Sequence, residues 1–211
     1  MRAFIFDLDG VIVHTDRFHY RAWKQTADEM GIYFDEQINH RLRGISREQS
    51  LEIILEKYDR EPLSREQKQE LMDRKNGYYR KLLGEMTPDD VGAEVRSTLG
   101  KLREAGYKLG IGSSSKNTKY ILEKVELLKI FQAVSDGTNI RKSKPDPEVF
   151  LKAAEFLHEN PGDCYVVEDA YAGIDAAKAA GCISIGIGEA GKYVGADYRI
   201  GSFSELLEFL P

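Results

Sequence analysis

Phe6-Asp7-Leu8-Asp9-Gly10-Val11 sets two carboxylates two residues apart, directly after an apolar run and just before a glycine. Residues two apart on an extended chain face the same side, so Asp7 and Asp9 can converge where a strand ends. Gly10 lets the chain turn sharply there. Carboxylates held close together repel, and a divalent cation or a shared proton relieves the repulsion. Hard oxygen ligands of this kind suit Mg²⁺, which commonly takes one or two carboxylates together with a substrate phosphate. A surface acidic turn would carry the same letters; the position directly behind a buried-type run favours a site.

Three further segments carry related chemistry. Ile111-Gly112-Ser113-Ser114-Ser115-Lys116-Asn117 follows a second apolar run and opens a helical pattern. Its backbone N–H groups and hydroxyls, at the positive end of a helix, suit a phosphate, although a serine there is equally an ordinary N-cap. Lys144-Pro145 precedes another helical pattern. A fixed ammonium at that place could neutralise a phosphoryl group and an aspartate together; taken alone, it is a solvated loop lysine. Val166-Val167-Glu168-Asp169 puts two more carboxylates at the tip of an apolar run. Packing does not account for that pair, because an apolar strand gains nothing from burying charge at its end.

To bring these segments together, several strands must end on one side of a sheet. Ala3-Phe4-Ile5-Phe6 reads as a buried parallel strand, and similar runs recur at 108–111, 133–134, 165–167 and 183–187. Helical patterns lie between them, from Glu94 to Ala105, Thr118 to Leu127, Glu148 to Leu157 and Ala170 to Ala180. Gly106 and Gly181 sit where C-terminal caps belong. This alternation predicts an α/β fold with a doubly wound parallel sheet, whose sites lie at the carboxyl ends of its strands. From Asp16 to Gly84 the alternation stops, and only helical stretches appear: His19 to Met30, Ser46 to Tyr58 and Arg65 to Leu83. The expected organisation is a core of residues 1–15 and 85–211 with an inserted α-helical cap domain over 16–84. Its hinges would lie near His14–Asp16 and from Gly84 through Pro88 to Gly92.

Composition narrows the functional classes. Thirty basic against 35 acidic residues give a formal charge of −5, which argues against a general nucleic-acid or membrane-surface binder. Any basic residue that binds an anion must therefore act locally. No stretch reaches the roughly 20 apolar residues of a bilayer span, and the N-terminus does not read as a signal peptide. Cys164 and Cys182 each lie beside apolar runs and are expected to be buried thiols. A cytoplasmic location and a monomeric state are the expectations.

The four segments occur in the order, spacing and strand-end context of the haloacid-dehalogenase superfamily, and the resemblance covers nearly the whole chain. Phe6 to Ile12, Thr15, His19-Tyr20-Arg21-Ala22-Trp23, Leu42 to Leu51 and Arg74-Lys75-Asn76 resemble the β-phosphoglucomutase family, as do Ser113 to Asn117, Lys144-Pro145-Asp146-Pro147 and Glu168-Asp169-Ala170. The segment from Gly44 to Ser50 is what points to the mutases within the superfamily. Three positions depart from the family's pattern: His14 stands where an acidic residue is common, Val91-Gly92-Ala93 replaces a proline-glycine, and Ala170-Tyr171 stands where small polar residues are common.

The resemblance implies that Asp7 is the nucleophile and Asp9 the general acid and base. It implies that Asp7, the backbone carbonyl of Asp9, and Asp169 ligate Mg²⁺ with help from Glu168, and that Ser113, Ser114 and Lys144 hold the transferring phosphoryl group. Arg47 would take the second phosphate of a sugar bisphosphate; without the resemblance it reads as a solvated charge. Thr15, His19, Trp23, Gly44, Ser50, Lys75, Lys116 and Asn117 are carried over as substrate-binding positions. His19 and Trp23, four apart on a helical pattern, fit core packing as well. The implied reaction interconverts β-glucose 1-phosphate and glucose 6-phosphate under a cap that closes to exclude water. Two rivals stand beside it: a sugar-phosphate phosphatase using the same acids, and a non-catalytic phosphate-binding module.

Overall fold

The computed structural model describes residues 3–42 and 45–210. Chain contacts divide the protein into two units, residues 1–14 with 86–211 and residues 15–85.

The first unit is built on six parallel strands in the order β3-β2-β1-β4-β5-β6. They are β1 Ala3–Phe6, β2 Lys108–Gly112, β3 Ala133–Ser135, β4 Cys164–Glu168, β5 Ile183–Gly186 and β6 Tyr198–Arg199. β1 lies at the centre, paired in register with β2 on one side and β4 on the other. Because strand side chains alternate between faces, its four apolar residues serve two cores. Ala3 and Ile5 join Val149, Phe150, Ala153 and Leu157 of helix α7 (Glu148–Leu157). Phe4 and Phe6 face the aromatic rings of Tyr107, Tyr165, Phe131 and Phe203 on the other side. Each fully buried phenylalanine contributes about 1.5–3 kcal/mol of transfer free energy. The remaining core helices are α5 Ala93–Glu104, α6 Thr118–Lys124 and α8 Tyr171–Ala179.

This arrangement agrees with the doubly wound sheet expected from the run pattern. Differences occur where the signal is short. β6 has only two residues, both exposed, and no apolar run announces it. α6 ends at Lys124 instead of Leu127, and Glu126 takes a positive φ of 57° just beyond it. Cys164 and Cys182 are buried free thiols, pushed up by burial to about 11 and about 12 respectively.

The second unit is all helical: α1 Asp16–Met30, α2 Glu36–His40, α3 Arg47–Leu55 and α4 Arg65–Leu83. Trp23, Ala27, Ile32, Phe34, Leu42, Leu51, Ile54 and Leu71 form its apolar centre. Ser46 and Ser64 begin α3 and α4 with reciprocal capping boxes to Gln49 and Gln67, each cap contributing about 1 kcal/mol. Asp35 caps α2, a five-residue helix too short to show a period in the sequence. Among the described residues, no helix is long and apolar enough to cross a membrane.

Candidate active site

The carboxyl ends of β1 and β4 place their acidic residues side by side. Asp7 follows β1 directly, and its N–H donates to the Val167 carbonyl at 2.9 Å, which carries the sheet ladder one residue further. Asp7, Glu168 and Asp169 each offer a carboxylate oxygen within 4.8 Å of the others, and Asp7 and Glu168 are buried. The Asp9 carboxylate lies outside that trio. Asp9 forms an isolated parallel bridge with Val13, and its charge is still felt at Asp169. Gly10 makes the turn between Asp9 and Val11 at φ +91°, and a side chain there would run into the Asp169 carboxyl group.

Lys144 joins the cluster from the loop ahead of α7. Its ammonium donates to Asp7 Oδ1 at 2.5 Å and to Glu168 Oε1, and it lies 4.9 Å from the centre of the Phe150 ring. Glu168 Oε2 accepts from the Ala170 N–H at 3.0 Å, so both its oxygens are fixed. Burial alone would lower the Lys144 pKa, but the Asp7 and Glu168 carboxylates outweigh it and hold the ammonium above the usual lysine range. Burial, followed by repulsion from Glu168, Asp7 and Asp9, pushes Asp169 up to about 8. Burial also raises Glu168, against the pull of Lys144.

Four carboxylates against one ammonium leave surplus negative charge in a partly dry site. The donor set fits a hard divalent cation such as Mg²⁺: the oxygens converge, and Asp169 carries a repulsion that such an ion would relieve.

The Ser113–Asn117 loop follows β2, on the strand next to β1. Ser113 is buried; its N–H donates to the Ser135 carbonyl at 3.0 Å, and its hydroxyl accepts from the Ser115 N–H at 3.3 Å. The Ser114 hydroxyl is buried without a hydrogen-bond partner. Asn117 is buried, with its N–H on the Ser115 hydroxyl at 3.2 Å, whereas Lys116 is exposed. The sequence suggested that a helix dipole would serve this loop. α6 does open directly behind the loop, at Thr118, and runs seven residues.

The sequence missed two residues that shape this cluster. Phe150 supplies the ring beneath Lys144. Gly173, in α8, leaves the space occupied by the Glu168 carboxylate, which any β-carbon there would strike.

In the helical unit, Thr15 Oγ1 and the Tyr79 hydroxyl lie 2.9 Å apart. Lys75, only 2% exposed, has its Nζ 2.8 Å from His19 Nδ1, 4.6 Å from the Tyr79 ring centre and 4.9 Å from that of Trp23. Trp23 is thus both a core residue and one wall around a buried cation. Burial first, then the charges of Lys75 and Arg47, holds the His19 pKa well below the usual histidine value. Arg47 opens α3 and donates to Asn76 Oδ1 at 2.8 Å. Ser50 is buried within the same helix, its hydroxyl donating to the Ser46 carbonyl at 3.0 Å. Gly44 lies outside the described residues.

Comparison with known proteins agrees with this geometry. The family model for haloacid dehalogenase-like hydrolases matches residues 1–181. The chain is 44% identical to a β-phosphoglucomutase of Bacillus subtilis, covering 100% of this chain and 94% of that one. A crystal structure of β-phosphoglucomutase from Clostridium difficile superposes with a TM-score of 0.89 at 38% identity, over 98% of this chain and 93% of that one. A fructose-1-phosphate phosphatase of Escherichia coli is 30% identical, over 87% of this chain and 94% of that one. The chain belongs to the haloacid dehalogenase-like hydrolase family, and within it resembles the β-phosphoglucomutases.

Proposed function

We propose that this chain interconverts β-D-glucose 1-phosphate and glucose 6-phosphate through β-glucose 1,6-bisphosphate and a phosphorylated Asp7. The observation that carries the reading is the 44% identity to a β-phosphoglucomutase along the whole chain. The buried Asp7–Lys144–Glu168 arrangement supports it, because phosphoryl transfer depends chiefly on positioning and charge neutralisation.

In the proposed sequence a carboxylate oxygen of Asp7 attacks the phosphorus of the bisphosphate. The bond from phosphorus to the sugar oxygen breaks, and the departing oxygen takes a proton from the Asp9 carboxyl group. In the other half-reaction the 6-hydroxyl of an incoming β-glucose 1-phosphate gives its proton to Asp9 and attacks the phosphorus of phosphorylated Asp7, which forms the bisphosphate and frees the Asp7 carboxylate. Lys144 spans the nucleophile and Glu168, so it can hold Asp7 in place while offering positive charge to phosphoryl oxygens. Ser113 and Ser114 supply hydroxyls to the same group, and the unpartnered Ser114 hydroxyl is a donor still to be used. Asp7, Glu168 and Asp169, with the Asp9 backbone carbonyl, would hold Mg²⁺. When bound, that ion supplies positive charge against which phosphoryl oxygens and carboxylates can approach.

Arg47 and Lys75 are the cations we assign to the phosphate that is not being transferred, with Thr15, His19, Trp23, Gly44, Ser50, Lys116 and Asn117 around the sugar phosphate. The substrate is a small sugar phosphate, handled by a monomer in the cytoplasm. The test is to supply β-glucose 1-phosphate, a trace of the bisphosphate and Mg²⁺, and to follow both products. Glucose 6-phosphate should appear well ahead of free phosphate. Free phosphate forming faster would make the chain a sugar-phosphate phosphatase, the activity named for the Escherichia coli relative.

A further inference from the structure

We infer that Asp136 and Gly137 are positioning residues for the Ser113–Lys116 loop, bracing its backbone in the shape that receives a phosphoryl group. This rests on the phosphate role proposed above for that loop. The two residues begin the turn after β3, the edge strand beside β2. The turn and the loop are joined by backbone at two points: the Ser113 N–H donates to the Ser135 carbonyl at 3.0 Å, and the Gly137 N–H donates to the Ser115 carbonyl at 3.2 Å.

Between those points the two chains lie so close that only a glycine fits. A β-carbon on Gly137 would sit 2.9 Å from both the backbone nitrogen and Cγ of Lys116, and would collide with the Ser114 carbonyl oxygen. Gly137 does not use the left-handed region, so its requirement is for space and not for backbone freedom.

The turn is tied so that it does not give way first. Asp136 is 1% exposed, and its Oδ1 accepts from the Thr138 N–H at 2.9 Å and the Thr138 hydroxyl at 2.5 Å. Asn139 Oδ1 accepts from the Asp136 N–H and the Ser135 hydroxyl, both at 3.2 Å, and its Nδ2 donates to the Val134 carbonyl at 3.4 Å. The second Asp136 oxygen is buried with no hydrogen-bond partner. We attribute the buried Asp136 side chain to its Oδ1 acceptor, which fixes the turn against the loop through the Thr138 N–H and hydroxyl.

The test measures orthophosphate binding in the presence of Mg²⁺ by calorimetry, alongside melting temperature and the split between KM and kcat for β-glucose 1-phosphate. Gly137→Ala and Asp136→Ala should each displace the loop donors, weaken orthophosphate roughly tenfold and raise KM. Asp136→Asn keeps the Oδ1 acceptor and should restore wild-type binding. If Asp136→Ala does not fold, Gly137→Ala and Asp136→Asn decide. Unchanged orthophosphate affinity in Gly137→Ala, even with a lowered melting temperature, overturns the brace. So does an Asp136→Asn protein that binds weakly, or a wild-type protein that binds no orthophosphate. A wild type that binds orthophosphate but leaves β-glucose 1-phosphate untouched overturns the mutase reading alone.

Discussion

Two lysines, Lys144 in the core unit and Lys75 in the helical unit, are almost equally hidden from solvent yet are accommodated in different ways. Lys144 is held by two carboxylates, and their attraction keeps it protonated despite burial. Lys75 rests against the faces of Trp23 and Tyr79 and a ring nitrogen of His19. The core cluster is crowded with acids and suits an added cation. The helical cluster pairs Lys75 with a histidine whose pKa burial, Lys75 and Arg47 hold well below its usual value. A buried charge therefore says little by itself; the chemistry of its neighbours decides how it is held.

The most severe way to break the core cluster is at the nucleophile. Asp7→Asn keeps the shape but removes the attacking carboxylate, and turnover should fall by at least about 10⁴-fold, with the melting temperature recording that the fold persists. Full turnover in that variant would mean that the chemistry lies elsewhere. Next comes Lys144→Met. It strands Asp7 and Glu168 without their counter-ion, and breaking a buried pair from one side costs about 3–5 kcal/mol. Urea denaturation measures this, and a variant as stable as wild type would show that Lys144 is not what holds the two acids together.

The pH response of the core cluster follows from Asp169. Its folded value, about 8, lies above the ordinary aspartate value, so the folded chain holds a proton that the unfolded chain has released. The associated stability is full below about pH 4 and is lost as pH rises through about 8, at no more than about 1.4 kcal/mol per pH unit for one group. Mg²⁺ competes with that proton. The rise in melting temperature on adding Mg²⁺, relative to a chelator, should therefore grow from pH 5 to pH 8. An increment that is flat across this range would remove Asp169 from the set of metal ligands.

The same contrast explains what could be read in the sequence. Asp7 and the strand before it were legible because an apolar run ending in acids is a local signal. The parallel sheet was legible because its runs alternate with helical patterns. The Lys144 pairing was legible only as one of two readings, because its partner Asp7 is 137 residues away and Lys-Pro in a loop, taken alone, looks solvated. Gly173 was hidden because its role is the space it leaves for Glu168, which no periodicity encodes. In the helical unit, His19 and Trp23 were seen as one helix face, but the placing of Lys75 against them depends on how α4 packs on α1. Asp73 and Arg74 beside Lys75 are a solvent signal in the sequence, and tertiary packing overrides it, since Lys75 is buried.

The finest test of the comparison is Lys75→Met, the counterpart of Lys144→Met. Methionine has a similar length and polarity along the stem, so the aromatic walls of Trp23 and Tyr79 keep their packing. The lost cation–π contacts, about 0.5–2 kcal/mol, and the lost hydrogen bond to His19 Nδ1, about 0.5–1.5 kcal/mol, oppose the relief of no longer burying a charge. Stability should therefore fall by only about 1–2 kcal/mol, short of the loss at Lys144. Removing Lys75 also removes one of the two cations that hold the His19 pKa down, so the histidine should titrate at higher pH, as NMR of its ring protons can follow. A loss of stability equal to that of Lys144→Met would mean that Lys75 balances buried negative charge as Lys144 does, and the distinction between the two clusters would fail.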